Sequence, residues 1–147
     1  MIVLMSRSEE KLGEAFKHID YEIDMLDSTF RLLTVGEETL GYKLNCIVLE
    51  SFLIHVRSLT EFLYNESSQK PDDVLALHYF KLKEDWSSKF GEKPEILNEA
   101  QQRAHKLLAH ISYKRDDLNT GWNYLEMYKT LKEKIDLFQN TYSKPKE

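Results

Sequence analysis

One cysteine, three prolines and five glycines in 147 residues leave little material for a disulfide-stapled or turn-rich fold. Cys46 alone cannot form an internal disulfide, and no CxxC or Cys/His knuckle can be assembled around it. No apolar run approaches the ~18 residues that a membrane span requires. The opening MIVLM is too short for a signal-peptide core and has no basic segment before it. The expectation is therefore a chain with no membrane contact, housed in a reducing cytoplasm. Chemistry-bearing signatures are equally scarce. GxGxxG, P-loop, GxSxG, HExxH and ExxH patterns are absent, and His18, His55, His78, His105 and His110 show no ligand spacing. Neither a cofactor nor a metal is expected. The net charge of −5 means that the general field does not attract nucleic acid, so any RNA contact must be local.

What the chain does contain is helical patterning: 41% apolar and 31% charged residues, arranged in long stripes. Leu12, Phe16, Ile19, Ile23, Leu26, Phe30 and Leu33 alternate steps of four and three, the spacing that keeps side chains on one helix face. Ser6 and Glu9 form a capping-box pattern before this stripe, and Gly36 supplies its stop. Glu37 and Glu38 then suit the positive end of a second helix running to about Asn65, joined by a short turn and so antiparallel to the first. Leu44, Val48, Phe52, Leu59 and Phe62 mark its buried face. Leu40, Ile47, Leu53 and Ile54 occupy the other side, which makes the helix either central in a bundle or shared with a second subunit.

Residues 66–73, ESSQKPDD, read as a loop, with Asp72 capping a short helix that carries Val74, Leu77 and Phe80. The stretch 81–93 reads as irregular, packed on by Trp86 and Phe90. Pro94 opens a further helix striped by Ile96, Leu97, Ala100, Ala104, Leu107, Leu108 and Ile111, and DDLNTG at 116–121 breaks it. Trp122, Leu125, Tyr128, Leu131, Ile135, Phe138 and Tyr142 stripe the last helix. No repeat or linker divides residues 1–147, so the expectation is a single all-α domain, an antiparallel four- to five-helix bundle.

One segment hints at chemistry. Within RAHKLLAHISYKR, Arg103 and His110 are seven positions apart, and seven steps of ~100° bring them within about 20° of each other. With Leu107 as the centre of the buried stripe, Arg103, His110 and Lys114 border the core on one side, while His105 falls almost opposite and faces solvent. Guanidinium matches phosphate oxygens and imidazole moves protons near neutral pH. From Ala100 to Arg115 there is no acidic residue, which supplies a locally basic edge. Elsewhere, His55 lies in the stripe Phe52, His55, Leu59, Phe62 and reads as a core histidine bonded to a neighbour. Glu50, Arg57 and Glu61 form a charged row opposite it, with Arg57 and Glu61 paired at i, i+4.

With Arg103 and His110 separated by AHKLLA, the segment resembles the HEPN superfamily. These are helical bundles of prokaryotic defence and toxin systems whose signature is an arginine, four to six residues and a histidine on a late helix. LESFLIHVRSLTEFLY, residues 49–64, is similar to the acidic and aromatic second helix of such bundles. The resemblance implies a metal-independent endoribonuclease acting as a homodimer, with the motif helices meeting across the interface. It implies that His110 assists attack of a ribose 2′-OH, that Arg103 stabilises charge on the phosphoryl oxygens, and that Lys114 holds a neighbouring phosphate. The rival expectation is a non-catalytic helical module of the same build that binds a partner protein, such as an antitoxin or a nucleotidyltransferase-like protein.

Overall fold

The computed structural model describes residues 7–67, 70–108 and 121–142, and among these the regular structure is helical, as the striping predicts. Helix α1 spans Glu9–Val35. Its cap is Ser8, two positions later than expected from sequence: the Ser8 hydroxyl accepts from the Lys11 N–H at 3.3 Å, and Ser6 lies outside the described residues. Gly36 ends α1 at φ 91°, a conformation closed to most side chains. The second helix is not continuous. Gly41, at φ 83°, divides it into α2, Glu37–Leu40, and α3, Tyr42–Tyr64.

Beyond α3 the sequence reading needs two corrections. Asp72 is not the cap of the following turn: a 3₁₀ turn covers Ala76–Tyr79 with Leu75 at its cap, where the Leu75 N–H donates to His78 Nδ1 at 3.0 Å. The supposedly irregular stretch contains helix α4, Lys83–Phe90, closed by Gly91. Trp86 and Phe90 stand one turn apart on it and both are buried, with Trp86 Nε1 donating to the Leu63 carbonyl at 3.0 Å. Helix α5 runs Glu95–Leu108 and α6 runs Tyr124–Thr141, the latter capped by Asn123.

Helix α3 is the centre of the packing, in contact with α1, α2, α5, α6 and the 3₁₀ turn. Phe52, Leu53, Val56, Leu59 and Leu63 enter one shared core with Leu26 of α1, Leu97 of α5 and Leu131, Ile135 and Phe138 of α6. Full burial of each such side chain is worth about 1.5–3 kcal/mol. Buried Thr29 and Thr60 cost little, because each hydroxyl donates to the carbonyl one turn back, Met25 at 2.7 Å and Val56 at 2.6 Å. Asp27 ties α1 to α6 by accepting from Tyr128 at 2.8 Å and Lys132 at 3.0 Å, while the Tyr128 ring stacks on Phe30 at 3.8 Å. No described helix is long and apolar enough to cross a membrane.

Candidate functional site

Helix α5 presents the first candidate. Leu97, Ala100 and Ala104 recur at steps of three and four and point into the core, which fixes the helix's rotation. Arg103 is consequently half-buried at the border of the core, and His105 is exposed, both as the striping predicts. The Arg103 guanidinium lies over the indole of Trp122, 3.8 Å from the ring centroid. Trp122 is buried immediately before the start of α6, so the arginine is held at the α5–α6 junction by a cation–π contact. His110 and Lys114 lie outside the described residues, and with them the pairing of Arg103 and His110.

Ala104, directly after Arg103, is only 3% exposed. Core packing accounts for the alanine: a polar side chain at 104 would enter an apolar interior and need a buried partner.

The second candidate is the surface shared by α1 and α3. His55 is buried, as predicted, and its Nδ1 lies 2.6 Å from Glu22 Oε2 on α1. Tyr21 stands edge-on to the same ring at 6.2 Å. This contact fixes the antiparallel fit of the two helices. Among the described residues, seven of the eight large hydrophobics that remain exposed sit on these helices: Tyr21, Leu32, Val35, Tyr42, Leu44, Ile47 and Ile54, with Leu125 the exception. Leu44 is thus a correction, since its stripe placed it in the core. On the first turns of α3, Leu44 and Ile47 are exposed, as is Val35 at the end of α1.

Sequence reasoning missed the α1 half of this surface. Tyr21, Met25, Ser28, Leu32 and Val35 repeat at steps of four, three, four and three, a second stripe beside the one that forms the core. Two interleaved stripes on one helix are a legible signal of contact on two sides. Alongside, Arg57 Nε donates to Glu61 Oε1 at 2.9 Å, confirming the i, i+4 pair.

A cleft of about 480 Å³ lies between the start of α1 and the 71–74 loop. Arg7, Lys11, Lys17 and His18 line it together with Glu14 and Asp72, so its charges largely offset one another. Among the described residues no three His, Cys, Asp or Glu side chains come together as metal ligands. Compared with known proteins, the chain matches no family model, no curated protein and no solved structure.

Proposed function

We propose that this chain is a helical-bundle module that works by protein association, with the α1–α3 surface as its docking face and a second copy of the chain as the occupant. The observation that carries this reading is that Ile47 and Ile54 are exposed one above the other on the outward side of α3, with Leu44 exposed on the same helix and Tyr21, Leu32 and Val35 on α1. Single exposed apolar residues are ordinary, whereas a contiguous group marks a contact surface. The charged row beside it suits self-pairing, because Lys43, Glu50, Arg57 and Glu61 carry both signs on one side of one helix. Sedimentation at micromolar concentration is expected to give twice the chain mass for wild type and the single mass for Ile47→Glu, with unchanged helix content by circular dichroism. A monomeric wild type at tens of micromolar would sink the proposal.

The nuclease reading stands second, favoured by the placement of Arg103 at the rim of the bundle on an aromatic ledge. Against it is the buried alanine at 104, where the resemblance to the HEPN superfamily implies a polar residue directly after the arginine. Purified wild type incubated with structured RNA in chelator is expected to leave the RNA intact, as is His110→Ala. Chelator-resistant cleavage that disappears in both His110→Ala and Arg103→Ala would reverse the order of the two readings.

A further inference from the structure

The outward side of α3 carries a pattern more specific than apolarity. Ile47, Ser51, Ile54 and Ser58 recur at steps of four, three and four, one row on a helix that turns ~100° per residue. Ile47 and Ile54 are 57% and 53% exposed, and the two serines are half-buried. Large and small side chains therefore alternate along a ridge of knobs and notches. Immediately beside it runs the row of Lys43, Glu50, Arg57 and Glu61. Lys43 and Glu50 are exposed, and the Arg57 and Glu61 side chains are each 40% exposed although joined to each other. Helix α1 flanks the other side of the ridge, where His55 meets Glu22.

We infer that two copies join by α3 in antiparallel register, each Ile47 seated on the partner's Ser58 and each Ile54 on the partner's Ser51; this rests on the dimer reading above. A single two-fold axis crossing α3 between residues 52 and 53 produces both kinds of contact at once. Self-complementarity of this kind is what an isologous interface requires. A large side chain over a small one lets two helices approach closely, as interdigitated packing demands. The same axis keeps the charged rows on one side of the seam. Glu50 then lies beside the partner's Arg57, and Lys43 beside the partner's Glu61. On each side of the axis the order outward from Glu50 becomes negative, positive, negative, positive, with an intrachain Arg57–Glu61 pair as its middle, and the two Glu50 side chains flank the axis itself. A parallel two-fold would instead set isoleucine on isoleucine and serine on serine, and would carry the two charged rows to opposite sides of the seam, out of each other's reach. Exposed charges add little affinity, but only the antiparallel form sets opposite charges side by side and large side chains over small ones, and this favours it.

A zero-length cross-linker reads this register in the unmodified protein. Lys43 and Glu61 are on one helix, 18 positions and about 27 Å apart along its axis, so an amide between them forms only between two copies. Carbodiimide treatment at tens of micromolar is expected to give a covalent dimer whose digest contains the Lys43–Glu61 peptide pair. Ile54→Glu, an exposed position whose change leaves the core intact, is expected to abolish that product. Lys43→Glu is expected to weaken the dimer roughly tenfold, since two attractive pairs become repulsive. A dimer by mass that is cross-linked elsewhere and unaffected by Lys43→Glu would overturn the register while leaving the dimer. A monomeric wild type would overturn both.

Discussion

At the scale of single residues, two histidines show how the same side chain is satisfied in different ways. His55 is bonded to a carboxylate from another helix, so it links α1 to α3. His78 accepts from a backbone N–H through Nδ1, which requires a ring nitrogen without a proton. Burial holds the His78 pKa below its usual 6.5, and the nearby Arg7 guanidinium lowers it further. The folded state therefore favours neutral His78 more than the unfolded chain does. Its contribution to stability is complete above pH 6.5 and is lost as the pH falls through the lower folded value. Urea midpoints of wild type and His78→Asn, compared between pH 7.5 and pH 5, are expected to show the steeper acid loss in wild type, because the asparagine oxygen can accept the bond without titrating. Equal losses would mean that protonation of this ring is not coupled to folding.

At the scale of elements, the legible features were those set by periodicity, and the misplaced ones were set by local backbone. The stripes of α1, α5 and α6 were readable because a buried helix face must repeat near 3.6 residues. The break at Gly41 was not, since Glu37 to Asn65 contains no proline and one glycine within a helical pattern is tolerated. Helix α4 escaped because eight residues show too little periodicity, although Trp86 and Phe90 sit one turn apart. For the candidate site, the half-buried Arg103 and exposed His105 were legible from their angles to the core stripe. The Trp122 ledge was not, because it depends on a contact between helices. Gly41 is open to a direct test. Its φ of 83° and ψ of 155° form a conformation essentially reserved for glycine, while nothing lies within 4 Å of an added Cβ. Gly41→Ala is therefore expected to cost about 1–3 kcal/mol through backbone strain alone, measured as a lower urea midpoint. No loss would show that α2 and α3 join into one helix at no cost.

At the scale of the whole molecule, the bundle's interior is closed by α3, yet the same helix keeps isoleucines in water on its outer side. Apolar surface left exposed in a monomer gives up the ~25 cal/mol per Å² that burial would return, and association is the route by which it is recovered. Folding and pairing then share one equilibrium. If unfolding requires two copies to separate, mass action adds about 1.4 kcal/mol to the dimer's stability for each tenfold rise in protein concentration. For a chain of this size, that corresponds to a thermal midpoint higher by about 2–4 °C. Between a few micromolar and a few hundred micromolar, two tenfold steps, wild type is expected to show about twice that rise. Ile54→Glu should melt at one temperature throughout, because its core is untouched and only the outward face of α3 has changed. A wild-type midpoint independent of concentration over that range would separate the fold from the pairing, and the exposed isoleucines would then need another occupant.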